Sequence, residues 1–309
     1  MILNCGEALI DMVAGETNDG QVAFVPHPGG AVMNTAVALG RLGVPSGFFA
    51  GLSNDLFATQ LKAHLSASDV SYDLCPISDA PTTLAFVQLE NGQAKYAFFD
   101  ESTALRNLQP SDIPALPDAI EAMFFGGISL AYGACADAYE AMLIAGANDH
   151  VIMMDPNIRP SFIRDEAAFR ARLQRMIAAT DILKLSDEDL EWLEGTGEIA
   201  DLANGLLSKG PKLILITQGS QGATAFHKDY QVHVPTVPVD LSNSDTIGAG
   251  DTFNAGVLAS LHDADLLSTA SIADLSPQDA ESAVAYGMKT ASITVSRKGA
   301  NPPWKHELP

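Results

Sequence analysis

Cysteine is scarce in this chain. The three residues Cys5, Cys75 and Cys135 are odd in number, widely spaced and free of any C-x-x-C, which excludes a disulfide framework and a zinc knuckle. A reducing cytoplasm suits such a protein. Positive charge is equally short: 17 Lys and Arg face 38 Asp and Glu, for a formal charge of -21. That balance repels nucleic-acid backbones and anionic membranes and leaves a small molecule as the expected partner. No apolar run approaches a membrane span, and Met1-Ile2-Leu3-Asn4-Cys5-Gly6-Glu7 lacks a basic leader, so a soluble protein retained in the cell is expected.

Several catalytic signatures are missing as well. There is no Gly-Lys pair, which excludes a Walker P-loop, and Gly219-Ser220-Gln221-Gly222 falls short of the dinucleotide G-x-G-x-x-G. Gly6-Glu7-Ala8-Leu9 has no glycine fingerprint either, which disfavours a dinucleotide-dependent oxidoreductase. H-E-x-x-H, G-x-S-x-G and EF-hand patterns are absent. His27, His64, His150, His227, His233, His262 and His306 show no helical metal-ligand pairing and no partner nucleophile, and carry no assigned chemistry.

What is present is a recurring alternation of short apolar runs and helical-period stretches. It predicts an α/β fold: a Rossmann-like, mostly parallel sheet flanked by helices on both faces. A chain of 309 residues is long enough for one large domain or two modest ones, and we read one domain with an insertion. Val151-Ile152-Met153-Met154 ends in Asp155-Pro156-Asn157, Ile182-Leu183 in Lys184-Leu185-Ser186, Leu213-Ile214-Leu215-Ile216 in Thr217-Gln218-Gly219, and Met123-Phe124-Phe125 in Gly126-Gly127. Ligands of open parallel sheets gather beyond the carboxyl ends of the strands, so these polar ends should share one rim. Residues 12–26 and 82–99 break the alternation. The second reads as a hairpin turning at Asn91-Gly92, and both suit a small β-sheet lid over the rim or a plain edge hairpin.

The most informative segment is Ser244-Asp245-Thr246-Ile247-Gly248-Ala249-Gly250-Asp251-Thr252-Phe253, which runs into an apolar-periodic helix. Glycines at 248 and 250 allow close backbone approach, and the amides and positive dipole of the following helix attract phosphate. Asp251 either caps that helix or, beside a phosphate, takes a proton from an attacking hydroxyl. Phosphoryl transfer needs little beyond alignment, charge stabilisation and such a base.

Asp245-Thr246-Ile247-Gly248-Ala249-Gly250-Asp251-Thr252-Phe253 resembles the D-T-x-G-A-G-D-x-F signature of the ribokinase superfamily, the pfkB-type carbohydrate kinases. Gly29-Gly30-Ala31-Val32-Met33-Asn34-Thr35-Ala36-Val37-Ala38-Leu39-Gly40-Arg41-Leu42-Gly43 is similar to the family's N-terminal signature. Gly6 to Asp11, Asp155 to Arg159, Thr217 to Ala223 and Ser296 to Pro303 extend the resemblance along the whole chain. It implies a ribokinase-like fold with a β lid, and transfer of the ATP γ-phosphoryl group to a sugar or nucleoside hydroxyl with Mg²⁺. The G-E-A-L-I-D opening, D-P-N-x-R and R-x-G-A-N-P-P most resemble the fructose-phosphorylating members, which implies fructose and its O6.

The resemblance also implies roles. Asp251 is the base, with Gly248, Ala249 and Gly250 completing the anion hole. Asp11, Gly29, Gly30, Asn34, Phe98 and Arg159 are expected on the sugar; Asn34, a poor helix former early in an otherwise apolar helix, needs such a reason. Lys184, Ser186, Thr217, Gly219, Gly222 and Asn301 are expected on the nucleotide. Ser186 and Asp189 stand where the family has Asn and Glu, so Asp189 is expected to hold Mg²⁺ through water, with Glu188 as its rival. Asp245 and the carbonyls of Ile247, Thr294 and Gly299 match a site for a monovalent cation such as K⁺. Ribose, 2-keto-3-deoxygluconate, other ketohexoses, phosphofructose and nucleosides are alternative substrates. A phosphosugar is disfavoured because the hairpin region offers only Lys95 and Arg106. A catalytically silent sugar-binding regulator is the rival of a different class. Exposed lid strands can pair between subunits, which makes a homodimer an option.

Overall fold

The computed structural model describes residues 1–90, 93–239 and 246–308, with the backbone alone for 87–90 and 93–96. The strands are β1 (Ile2–Cys5), β2 (Leu9–Glu16), β3 (Val22–Gly29), β4 (Ser46–Phe49), β5 (Leu52–Ser53), β6 (Val70–Ser71), β7 (Ile77–Ser78), β8 (Leu84–Glu90), β9 (Gln93–Phe99), β10 (Ala122–Gly126), β11 (Val151–Asp155), β12 (Ile182–Ser186), β13 (Leu213–Thr217), β14 (Ala223–His227) and β15 (Tyr230–Val234). The helices are α1 (Ala31–Arg41), α2 (Leu56–Ser66), α3 (Gly133–Gly146), α4 (Glu166–Ala178), α5 (Asp187–Glu194), α6 (Ile199–Leu207), α7 (Ala249–Asp263), α8 (Thr269–Ala273) and α9 (Pro277–Val295).

A 9-stranded sheet runs in the order β15-β14-β13-β12-β11-β10-β1-β4-β6. It is parallel from β6 to β13, and β14 and β15 turn back antiparallel at one edge. Because successive side chains on a strand point to opposite faces, each short apolar run serves two cores. Ile2, Phe48, Phe124, Met153 and Leu215 pack beneath α1, α7 and α9. Leu3, Phe49, Phe125, Met154 and Ile216 pack beneath α3, α4, α5 and α6. Such doubly covered strands read as continuous apolar runs rather than alternations.

The sequence-predicted rim forms. Gly126 at the end of β10 pairs with Asp155 at the end of β11, and Ser186 of β12 pairs with Thr217 of β13. One boundary differs: β12 extends through Lys184 to Ser186, so Lys184 lies inside a strand rather than in the turn after it.

The two irregular stretches build one 4-stranded sheet, β3-β2-β8-β9. The first is two antiparallel strands starting at Leu9, earlier than the expected 12–26, and β8 and β9 form the expected hairpin. Strand pairing and the pleat place Asp11, Gly29 and Phe98 on one face of this sheet: Gly29 opposes Leu9, two residues from Asp11, and Ala85 opposes both Asp11 and Phe98.

Candidate active site

The glycine loop opens α7 on the rim. Gly248 takes φ of 76° as N-cap, and a Cβ there would lie 2.7 Å from the Ala300 Cβ. Only glycine fits this left-handed turn beside the C-terminal loop. The first turn of a helix has amides without intrahelical acceptors, and this one faces Lys184, whose Nζ would be 3.3 Å from a Cβ on Gly250.

Asp251, in that first turn, is 7% exposed. Asn34 on α1 donates from Nδ2 to its Oδ2 at 2.9 Å, and Thr35 Oγ1 donates to its main-chain carbonyl at 3.3 Å. Burial pushes the Asp251 carboxyl up to about 7; the Asn34 bond and Lys184 oppose this, while Asp155 and Glu7 add to it. Asn34, expected on the sugar, thus bonds the Asp251 carboxylate directly.

Beside Asp251 lies a buried polar network. Asp155 Oδ2 accepts from Lys184 Nζ at 2.9 Å and from Asn254 Nδ2 at 2.8 Å, and its Oδ1 accepts the Asn157 amide at 3.1 Å. Burial works against the Lys184 ammonium, yet Asp155, Asp189 and Asp251 together hold its pKa above the ordinary value. Asn254 Oδ1 is fully buried without a hydrogen-bond partner among the described residues, an unmet polar atom beside Asp155.

Among the residues expected on the sugar, burial lifts the Asp11 carboxyl to about 6. A Cβ on Gly29 would lie 2.2 Å from Asp11 Oδ2, so the glycine makes room for the carboxylate. Gly30, with φ of 110°, caps α1. Phe98 meets Phe162 edge-on, ring centroids 4.3 Å apart. Arg159 is exposed and donates from Nη1 to the Ile158 carbonyl at 3.0 Å. Arg106 is spent internally, on Asp100 at 2.6 Å and on the carbonyls of Tyr132 and Ile128. Lys95 lies outside the described side chains.

Of the residues expected on the nucleotide, Ser186 and Thr217 sit adjacent at the strand ends. A Cβ on Gly219 would meet nothing within 4 Å, whereas one on Gly222 would lie 2.2 Å from the Val234 carbonyl oxygen. Asn301 is exposed and its Oδ1 accepts from Arg41 at 2.8 Å.

Asp189 is 6% exposed and serves as a cap: its Oδ1 accepts the Ile158 amide at 3.0 Å and its Oδ2 the Ser186 amide at 3.2 Å. Glu188 points into solvent. Among the described residues no three His, Cys, Asp or Glu side chains converge as a metal site. The Thr294 carbonyl accepts from the Arg297 amide and the Gly299 carbonyl from the Asn301 amide, Ile247 is 48% exposed, and Asp245 lies outside the described residues.

A buried carboxyl of near-neutral pKa in the first turn of a glycine-opened helix, facing a lysine and a second carboxylate, is an arrangement for taking a proton from an alcohol beside a phosphate. Residues 2–307 match the model of the pfkB family carbohydrate kinases. The chain belongs to this family. It is 49% identical over 278 residues to a fructokinase of Rhizobium leguminosarum bv. trifolii, covering 90% of this chain and 85% of that one. A fructokinase of Xylella fastidiosa with bound ATP superposes with a TM-score of 0.88 at 26% identity, covering 97% and 93% of the two chains. A fructokinase of Vibrio cholerae O395 with fructose, ADP and calcium ion gives 0.81 at 26%, covering 97% and 94%.

Glu7, Asp155 and Asn254, which gather around Asp251 and Lys184, have no role assigned from the sequence. A lysine inside the apolar strand Ile182-Leu183-Lys184-Leu185 was the available signal, because a buried ammonium requires a nearby carboxylate.

Proposed function

We propose that the protein is an ATP-dependent fructokinase that transfers the γ-phosphoryl group to O6 of D-fructose, with Asp251 as general base. The observation that carries this reading is the buried Asp251 carboxyl in the first turn of α7, held by Asn34 at 2.9 Å and lifted to about 7. A base works best with a pKa near the working pH. Asp251 accepts the O6 proton, O6 bonds to the γ-phosphorus, and the bond from that phosphorus to the β–γ bridging oxygen breaks, releasing ADP. Amides of the Gly248 to Asp251 turn face the charge gathering on the transferring group.

Asp11, Gly29, Gly30, Asn34, Phe98 and Arg159 form the sugar side in this reading; Lys184, Ser186, Thr217, Gly219, Gly222 and Asn301 form the nucleotide side. Engagement of Arg106 within the protein favours an uncharged sugar over a sugar phosphate. Asp189, whose oxygens both accept amides, is the residue that would hold Mg²⁺ through water. When bound, that ion neutralises phosphate charge. The Ile247, Thr294 and Gly299 carbonyls with Asp245 are assigned to a monovalent cation. The cytoplasm is the assigned compartment, since Cys5, Cys75 and Cys135 are free and buried and no described helix is long and apolar enough to cross a membrane.

A coupled ADP-release assay with ATP, Mg²⁺ and fructose, ribose, 2-keto-3-deoxygluconate, adenosine or fructose phosphate tests the assignment, run in K⁺ and in Na⁺. Fructose should give the highest kcat/KM, and K⁺ the faster rate. Asp251→Asn should lose at least about 100-fold in kcat with KM values near native. Turnover of none of the sugars, or an Asp251→Asn loss of only about twofold, would overturn the reading.

A further inference from the structure

Glu7 follows β1 on the rim and is 1% exposed, yet no cation pairs with it among the described residues. Its carboxylate oxygens instead reach two separate elements. Oε1 accepts the amide of Ala31, the first residue of α1, at 3.0 Å, and Oε2 accepts the Ser129 amide at 3.2 Å, in the turn after β10. Its main-chain carbonyl takes the Met33 amide at 3.3 Å. The fit leaves no slack: a Cβ on Gly127 would lie 2.0 Å from Oε1, and one on Gly30 would lie 2.6 Å from the Glu7 carbonyl oxygen. Both glycines have positive φ, 69° and 110°. Burial works against this carboxylate, while the amides and the Ser129 side chain support it; such a buried charge is costly, and what it secures is the start of the helix that carries Asn34.

We propose that Glu7 is a positioning residue for phosphoryl transfer: it ties the N-terminus of α1 to the sheet rim and so sets Asn34 against Asp251. The inference rests on Asp251 being the base. Its charge also acts there, because Glu7 raises the Asp251 pKa alongside Asp155, while Asn34 and Lys184 lower it. Around Glu7 itself the titratable neighbours are Asp251, Cys135 and Tyr139.

The test is steady-state kinetics of Glu7→Gln and Glu7→Asp in the full chain, from about pH 5 to 9, alone and combined with Asn34→Ala. Glu7→Gln replaces an accepting oxygen by an NH₂ facing an amide. We expect kcat with fructose to fall about 10-fold, KM for ATP to stay within about twofold, and the acid limb of kcat/KM to move to lower pH. In the Asn34→Ala background the same substitution should add less than about twofold, because both act through one contact. Glu7→Asp keeps the charge with a shorter reach, so its acid limb should stay in place while kcat drops severalfold; it decides the matter if Glu7→Gln does not fold. Native-like kinetics of either folded variant, an equal loss in all parameters, or full additivity with Asn34→Ala would overturn the inference. If Asp251→Asn is inactive and Glu7→Gln is native-like, only this inference fails; if Asp251→Asn is active, the base assignment fails.

Discussion

At the scale of single residues, Asp251 joins chemistry to stability. Its folded pKa of about 7 lies above the ordinary carboxylate value. Between those values the folded chain holds a proton that the unfolded chain has released. Stability therefore falls as pH rises through that window, and the whole penalty stands above about pH 7. Thermal unfolding of the ligand-free protein at pH 5, 6, 7 and 8 should show this decline, with Asp11, lifted to about 6, contributing in the same direction. Asp251→Asn should flatten the decline and stabilise the protein at pH 8 by ~1–2 kcal/mol. If the variant follows the native pH profile, the burial argument is wrong. For activity the sign is reversed, since only the ionised base accepts a proton: kcat/KM should drop about tenfold per unit below about pH 7. Gly29→Ala makes a separate test. Its Cβ would lie 2.2 Å from Asp11 Oδ2 and displace that carboxylate, raising KM for fructose about 10-fold or more with KM for ATP unchanged. An unchanged fructose KM would remove Asp11 from the sugar side.

At the scale of elements, α7 carries Asp251 at its N-terminus and is held by a close crossing with α9. A Cβ on Gly256 would lie 2.3 Å from Thr290 Oγ1 and 2.7 Å from the Gly287 Cα, so the backbones meet with no side chain between them. Gly256→Val should cost about 1–3 kcal/mol by overpacking, read as a lower denaturant midpoint at unchanged slope; a native midpoint would mean that the helices part easily. Strand runs such as Leu213-Ile214-Leu215-Ile216 were legible because burial on both faces leaves a continuous apolar string. The hairpin was legible through Asn91-Gly92. The reversal of β14 and β15 at the sheet edge was not, since an apolar run encodes burial but not direction. The β2–β8 pairing joins segments far apart in the chain, and no local pattern announces it.

At the scale of the molecule, the small sheet leaves apolar surface uncovered. Val22 is 77% and Phe99 62% exposed, and Phe24, Phe86 and Phe99 meet edge-on with centroid spacings of 5.0 and 5.3 Å. Asp11, Gly29 and Phe98 occupy the opposite face by strand alternation. An aromatic face of this kind is where the expected pairing of lid strands between subunits would form. Sizing chromatography should give twice the 32.5 kDa chain mass, with salt favouring association because the net charge of -21 is then screened. Val22→Glu with Phe99→Glu should yield a monomer; a monomeric native protein would show that this face is not an interface between subunits.

The sequence by itself determined the layered α/β plan, the rim at the strand ends and the glycine loop leading to Asp251, because each is written in contiguous residues whose spacing or backbone freedom admits little else. Only the tertiary structure decided that Asn34 reaches Asp251, that Lys184 is matched by Asp155 and Asn254, that Asp189 caps α5 and accepts the Ile158 amide, and that Glu7 joins α1 to the sheet. Those contacts unite residues from separate strands and helices. Their partners are chosen by how the sheet orders its strands, which local pattern does not encode.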